Sequence, residues 1–158
     1  MLVLLRALTY AALFIALVLV FVPARVLEVA GVTRPPVFGA QQIAGAIMVI
    51  VGGSAAIWCI LTFALVGRGT PALFDPPRRL VVRGPYRFVR NPMYLGAGLA
   101  LVGAALFYGS WALAGYAAFL AVVIQFLVLQ YEEPTLRRTF GSDYEDYCRR
   151  VHRWWPRW

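Results

Sequence analysis

Apolar residues fill four long runs of this chain, and the stretches outside the runs carry nearly all of its charge. The runs cover about residues 2–22, 43–66, 92–108 and 111–131. An apolar helix of roughly 20 residues can cross the ~30 Å hydrocarbon core of a bilayer. The third run is the shortest, and at ~1.5 Å per residue it covers roughly 25 Å. The pattern predicts an all-α integral membrane protein with about four transmembrane helices, and we interpret residues 1–158 as a single membrane domain.

Residues 134–158 follow a different pattern, in which charged and apolar residues alternate at helical spacing. The last six residues place tryptophan beside arginine, which is typical of the membrane–water interface. We therefore predict a C-terminal tail of interfacial helices that covers one face of the membrane domain. For the first run a cleaved signal peptide is the alternative interpretation, but the run is long and lacks a small-residue cleavage site, which favours an anchor.

Small residues recur in the second and third runs: Gly45, Gly52, Gly53, Ser54 and Ala55 in one, and Gly96, Gly98 and Gly103 in the other. Glycine lets transmembrane helices approach closely, so helix packing is the simplest explanation. The second run could equally serve a dimer, and the sequence leaves the oligomeric state open.

Composition agrees with a membrane protein, since 61% of the residues are hydrophobic, and the net charge is +8. All 15 basic residues are arginine, and all but Arg6 lie outside the apolar runs, which favours membrane topology and anionic headgroups over nucleic acid. Six arginines lie in loop 67–91 and six in the tail. Positive residues stay in the cytoplasm, so we predict a cytoplasmic loop 67–91, a cytoplasmic tail and cytoplasmic termini, in a bacterial inner membrane. The two cysteines lie in unlike surroundings, and we expect no metal site.

Two polar clusters lie directly beside apolar runs, one at residues 84–94 and one at Glu132 and Glu133. Polar groups near lipid are costly, which makes them candidates for a functional site. A short turn at Gly109 and Ser110 joins the third and fourth runs, so these helices should be antiparallel with their outer ends together. The sequence therefore predicts a pocket with arginines on one side and carboxylates on the other.

The chemistry of this pocket suggests a zwitterionic ligand. A helix that begins at Pro92 with Asn91 as its cap, preceded by Arg87 and Arg90, is an anion site. The paired glutamates form a cation site, and tyrosine faces can stabilise a further positive charge. These tyrosines are Tyr86, Tyr94 and Tyr131. S-adenosylmethionine carries a carboxylate, an ammonium and a sulfonium, although many zwitterions would fit.

Motifs in the C-terminal half of the chain carry a resemblance to a known family. They are Gly84-Pro85-Tyr86, Arg90-x-Pro92-x-Tyr94 and Glu132-Glu133-x-x-Leu136-x-x-x-Phe140-Gly141-x-x-Tyr144-x-x-Tyr147. Together they resemble the isoprenylcysteine carboxyl methyltransferase and phospholipid methyltransferase superfamily. The resemblance implies an integral membrane enzyme that transfers a methyl group from S-adenosylmethionine to a lipophilic small molecule or a lipid.

The resemblance also implies the residues of the site. One of the paired glutamates would hold the ammonium of the cofactor, and the candidates for catalysis are Glu132, Glu133 and Arg90. The implied cofactor-binding residues are Gly84, Pro85, Tyr86, Arg90, Asn91, Pro92, Tyr94, Gly96, Glu132 and Glu133. Structural explanations stay open beside these roles, because arginines can set topology and Pro92 and Gly96 can serve helix packing.

This chain departs from the family pattern at three places. Asn91 stands where histidine is usual, Val151-His152-Arg153-Trp154 stands where Val-Pro-Arg-Trp is common near the C-terminus, and no arginine shortly precedes Glu132. The last departure argues against an acceptor that ends in a carboxylate. Two alternatives remain. One is a membrane reductase of related fold, whose NADPH phosphate the basic loop around Arg78, Arg79 and Arg83 could receive; the other, which the replacement at Asn91 keeps open, is a non-catalytic membrane scaffold.

Overall fold

The computed structural model of the chain describes residues 9, 12–32, 35, 38–67 and 79–156. Much of the predicted start of the first span, Arg68 and Arg78 of the loop and the last two residues lie outside these ranges. The described part contains helices and no strand. The helices are α1 (Ala12–Val29), α2 (Ala40–Thr62, followed by a π-helical turn Phe63–Gly67), α3 (Pro92–Tyr108), α4 (Trp111–Phe140) and α5 (Ser142–Arg150).

Helices α1, α2 and α4 are long and apolar enough to cross a membrane, and α3 is a shorter apolar helix. The chain is an all-α membrane protein, as its sequence predicts. Its main helix contacts run from α2 to α3, from α3 to α4 and from α4 to α1. Helices α3 and α4 therefore occupy the middle of the arrangement.

Helices α2 and α3 touch backbone to backbone through two pairs of glycines. A Cβ atom added to Gly45 would lie 2.6 Å from the carbonyl oxygen of Gly103, and one added to Gly52 would lie 2.5 Å from that of Gly96. The pairs occur in reverse order along the two helices, so α2 and α3 are antiparallel. The packing explanation for these glycines is confirmed within a single chain.

Side chains from α2 also close the far end of α3. The Nε2 atoms of Gln41 and Gln42 donate to the carbonyl oxygens of Leu106 at 2.8 Å and Phe107 at 3.3 Å. The last carbonyls of a helix have few partners inside it, and these amides supply donors from α2 at the end of α3. The hydrogen bonds anchor the α2–α3 pair at the end opposite to the polar clusters.

The predicted turn between α3 and α4 is present. Gly109 adopts a left-handed conformation with φ 62°, which ends α3, and Ser110 follows as the N-cap of α4. The Ser110 hydroxyl oxygen accepts a hydrogen bond from the backbone N–H of Leu113 at 3.3 Å. A connection this short forces α3 and α4 to run antiparallel.

Helix α1 is fixed to α4 by a tyrosine that compensates for a proline. Residues Ile15–Phe21 are π-helical, a geometry in which each carbonyl pairs with an N–H five residues later. Five residues after Val18 stands Pro23, which has no N–H. The Tyr116 hydroxyl donates to the Val18 carbonyl at 2.9 Å instead. The contact joins α1 to α4 at a polar group inside the apolar region.

Helix α4 does not end at Tyr131, where the fourth apolar run ends. It is α-helical over Trp111–Leu127, π-helical over Val128–Glu132 and α-helical again over Glu133–Phe140. A proline such as Pro134 normally ends a helix because it lacks an N–H and clashes with the preceding turn, and a wider turn relieves both effects. The paired glutamates therefore lie inside a continuous helix, and the tail expected from residue 134 begins as its extension.

Candidate functional site

The Gly-Pro-Tyr loop folds against the end of α2. Residues Gly84–Arg87 form a 3₁₀ turn, and Gly84 has φ 59°, a conformation that favours glycine. A Cβ atom at Gly84 would also lie 3.1 Å from the Thr62 side chain. Pro85 and Tyr86 are buried, and the Tyr86 ring lies 5.8 Å from that of Phe63. The glycine thus permits the close approach that buries the tyrosine.

Tyr86 is held from two sides and remains uncharged. Its ring forms a buried cluster with Cys59 and Val81, and its backbone carbonyl accepts a 2.6 Å hydrogen bond from the Tyr147 hydroxyl of α5. Burial raises the pKa of the Tyr86 hydroxyl well above its ordinary value, and the neighbouring Cys59 and Glu132 raise it further. Tyr86 therefore presents a neutral phenol close to the paired glutamates.

The negative charge of Glu133 is compensated by two arginines. Arg153 forms a two-pronged pair with it, with Nε 2.7 Å from Oε1 and one terminal nitrogen 2.9 Å from Oε2. A terminal nitrogen of Arg90 lies 3.1 Å from the same Oε1. The hydrogen bond to Glu133 also raises the pKa of Arg153. This buried carboxylate is structurally engaged and is a poor candidate for holding a ligand ammonium.

Arg90 sits at the centre of the tail contacts. The nitrogen that faces Glu133 also lies 3.5 Å from the Tyr144 hydroxyl and 2.7 Å from the Cys148 sulfur. The Arg90 side chain is 12% exposed, and its Nε atom is buried without a hydrogen-bond partner in the described part of the chain. A buried N–H of a guanidinium is costly to leave unbonded, so it is a donor available to a ligand.

Glu132 differs from its neighbour in having no cationic partner. Its Oε2 atom accepts a hydrogen bond from the Tyr94 hydroxyl at 3.1 Å, and it meets no arginine within 4 Å among the described residues. Charges shielded from water are normally paired, and Glu133 already has its own arginine partners. Among the described residues, Glu132 is therefore the member of the pair without a cationic partner, which makes it the candidate for the cation site predicted from the sequence.

Asn91 is a second polar group without a partner. It occupies the N-cap of α3 and is 7% exposed, yet its side chain forms no cap hydrogen bond and no other hydrogen bond within the described residues. The expected side-chain cap of α3 is therefore not formed. An amide at a helix N-terminus that has no hydrogen bond of its own can donate to or accept from a ligand there.

A segment that the sequence analysis did not assign to the site holds this region together. We call residues 151–154 the C-terminal strap. Backbone N–H groups of Arg90 and Asn91 donate to the carbonyls of His152 and Arg153, at 2.9 and 3.3 Å. The indole N–H of Trp154 donates to Gln125 of α4 at 2.9 Å. Arg153 lies 20 residues after Glu133, so no local spacing could reveal the pair.

The predicted site residues do not all meet. The structure brings together Tyr86, Arg90, Asn91, Tyr94, Glu132 and Glu133 through the contacts above. Pro92 begins α3, and Gly96 faces α2, where an added Cβ would lie 2.8 Å from the Gly52 carbonyl oxygen. Gly96 therefore has a packing role, and Tyr131 is 45% exposed on α4. An open carboxylate, an unbonded amide and an unbonded guanidinium N–H fit a zwitterionic cofactor.

Comparison with known proteins identifies the family. The phospholipid methyltransferase family model matches residues 40–143, which include α2, α3, α4 and the site residues up to Glu133. The chain belongs to the phospholipid methyltransferase family. The segment that matches this methyltransferase family ends before the C-terminal strap.

Two curated relatives are similar to this family member. Both are named probable protein-S-isoprenylcysteine O-methyltransferase, from Oryza sativa subsp. indica and subsp. japonica. Each is 30% identical over 114 residues, which cover 68% of this chain and 57% of the relative. The chain thus matches little more than half the length of these relatives. No solved structure matches it significantly.

Proposed function

We propose that this protein transfers a methyl group from S-adenosylmethionine to a lipophilic acceptor at the cytoplasmic face of a membrane. The observation that carries the proposal is Glu132, a carboxylate beside Tyr94 and Tyr86 that no described cation compensates. Membership in the phospholipid methyltransferase family supports the reaction type, and the absence of a cation partner supports a cationic ligand group.

Different residues around Glu132 would bind different groups of the cofactor. Glu132 would hold the ammonium of the cofactor, while Asn91 and the N-terminus of α3 would receive its carboxylate. The buried Nε–H of Arg90 is a further donor on that side. Tyr86 and Tyr94 would supply uncharged aromatic surfaces that stabilise a positive charge nearby. Bound there, S-adenosylmethionine supplies a sulfonium methyl group for in-line transfer to a nucleophile.

The protein's own contribution would be alignment and exclusion of water. Helix α5 and the strap pack over the Gly-Pro-Tyr loop and the start of α3, through Tyr147 and the backbone of residues 152–153. Helices α2 and α4 present apolar side chains outward along their length, which suits an acceptor that arrives through the bilayer. The family is named for phospholipids and the relatives for isoprenylcysteine, which supports a lipophilic acceptor.

The exposed arginines near the site also support a cytoplasmic position for it. Arg79, Arg83 and Arg87 are exposed in the described part of loop 67–91, on the side of the chain where the site lies. Exposed arginines beside spans favour the cytoplasmic side, as in a bacterial inner membrane. The site would then face the compartment that holds the methyl donor.

The direct test is isothermal titration of the purified protein in detergent with S-adenosylhomocysteine. We expect a micromolar dissociation constant for the wild type and no binding of NADPH. Glu132→Gln should raise the dissociation constant at least tenfold, because truncating one partner of a buried charge pair costs about 2–5 kcal/mol. Glu28→Gln is the matched control, since Glu28 pairs with Arg25 on the exposed end of α1.

Equal affinity in the wild type and Glu132→Gln would refute the role given to Glu132. Binding of NADPH without S-adenosylhomocysteine would replace the proposal with the reductase alternative. Binding of neither by a folded preparation would favour the non-catalytic scaffold.

A further inference from the structure

We infer that the C-terminal strap sets the affinity for the methyl donor, and that Arg153 is its positioning residue. The inference rests on the proposed function, because it concerns how firmly the two halves of the donor site are held. The strap lies outside the segment that the family model matches, so its role follows from its contacts in this chain.

The first half of the donor site is held by backbone hydrogen bonds. Arg90 and Asn91, the two residues before α3, each donate a backbone N–H to the strap, at 2.9 and 3.3 Å. Asn91 has no side-chain hydrogen bond of its own among the described residues. The position of its amide therefore depends on the strap and on the buried Pro92 that follows.

The second half is held by side chains of the strap. Arg153 donates hydrogen bonds to both carboxylate oxygens of Glu133. The indole N–H of Trp154 donates to Gln125, which lies about two helical turns before Glu133 on α4. Glu133 directly follows Glu132. The two hydrogen bonds from Arg153 that fix the Glu133 side chain therefore also restrict the backbone position of Glu132. A planar guanidinium gives this pairing a directional preference that an ammonium lacks.

The strap thus bridges the two elements whose unpartnered groups face the ligand, Asn91 before α3 and Glu132 on α4. When the site is already ordered before the ligand arrives, the entropy cost of ordering it no longer opposes binding. Arg153 itself is engaged by Glu133 and touches no other described acid, so it acts through Glu133 and the Asn91 backbone. Its loss should weaken donor binding and leave acceptor recognition within the bilayer unchanged.

The test compares four proteins by titration with S-adenosylhomocysteine: wild type, Arg153→Ala, Arg153→Lys and the control Arg150→Ala. Arg150 lies on the exposed face of α5, where its Nε bonds only the Asp146 carbonyl. We expect the dissociation constant to rise about tenfold or more in Arg153→Ala, to recover partly in Arg153→Lys and to stay within twofold in Arg150→Ala.

Two further readouts separate positioning from general destabilisation. Amide exchange at Arg90 and Asn91 should accelerate in Arg153→Ala, while exchange in the middle of α2 and α3 stays at the wild-type rate. With a lipophilic acceptor in hand, the KM for the donor should rise and the KM for the acceptor should not. If Arg153→Ala does not fold, Arg153→Lys carries the same comparison.

The outcomes are distinct from those of the proposed function. A wild type that binds no S-adenosylhomocysteine refutes the proposed function and, with it, this inference. A wild type that binds, together with Arg153→Ala and Arg153→Lys that bind equally well, refutes the role of the strap alone. Weaker binding accompanied by faster exchange throughout α2 and α3 would also overturn it, because Arg153 would then be a general fold determinant.

Discussion

Gly52 and Gly53 are adjacent on α2, and replacing each by alanine should change stability in opposite directions. At Gly52 the new Cβ would lie 2.5 Å from the Gly96 carbonyl oxygen and 2.6 Å from the Ala100 backbone nitrogen. At Gly53 nothing lies within 4 Å. The two variants add the same methyl group to neighbouring positions of one helix, so they differ only in what the methyl group meets.

The magnitude follows from that difference. An ordinary carbon–oxygen contact is about 3.3–3.6 Å, so α2 and α3 must separate by roughly 0.8 Å at Gly52. Overpacking of this kind costs about 1–3 kcal/mol, while exchange of glycine for alanine in a helix returns about 1 kcal/mol. Gly53→Ala receives only the second effect. The free energies of unfolding of the two variants should therefore differ by about 1–3 kcal/mol.

The assay is reversible unfolding in mixed micelles by titration with SDS, followed through tryptophan fluorescence. We expect Gly53→Ala to unfold at the wild-type concentration of SDS or above it, and Gly52→Ala below it. Equal midpoints for the two variants would refute the reasoning, because the backbone contact between α2 and α3 would then not limit their separation.

Three hydrogen bonds give further predictions in the same unfolding assay. Ser110→Ala removes the N-cap of α4 and should cost about 1 kcal/mol; no change would mean that the turn is held otherwise. Tyr116→Phe exposes the Val18 carbonyl and should cost about 0.6–2 kcal/mol, and an unchanged midpoint would contradict the link between α1 and α4. Tyr147→Phe leaves the buried Tyr86 carbonyl unbonded and should cost about 1–3 kcal/mol and weaken binding of S-adenosylhomocysteine; wild-type affinity would show that the loop holds itself.

The helices could be predicted from the sequence because their signal is local. Apolar length indicates which segments can span, and the Gly109–Ser110 turn makes α3 and α4 antiparallel, which places residues 84–94 near the paired glutamates. The sequence suggested close packing at glycines, but the structure shows which of them meet. Gly45 and Gly52 are seven residues apart, as are Gly96 and Gly103, and this repeat keeps each pair on one helix face.

The end of α4 could not be predicted, because two local rules compete there. Pro134 indicates a helix end, but the π-helical turn Val128–Glu132 lets the helix continue to Phe140. A wide turn depends on packing around the helix and leaves no compositional mark. The helix therefore continues beyond Tyr131, where the apolar run ends, and the glutamates lie beside Arg90 of the arginine-rich loop.

The sequence could not show which of the paired glutamates binds the arginines, and the reason is different. Adjacent residues of the same type have equal chemistry, and their surroundings decide which one is free. Arg90 was recognised as a site residue, but Arg153 approaches Glu133 from a strap far along the chain. Long-range contacts of this kind follow from tertiary structure and not from spacing.

The measurement that tests the central claim most directly is methyl transfer from S-adenosylmethionine that carries tritium in its methyl group. The purified protein is incubated in liposomes that contain phosphatidylethanolamine and farnesylcysteine as defined acceptors, and tritium is counted in the organic phase. We predict label in a lipophilic product with the wild type and with Glu28→Gln, and its loss with Glu132→Gln. Label that persists in Glu132→Gln, or no lipophilic product from a preparation that binds S-adenosylhomocysteine, would contradict the account.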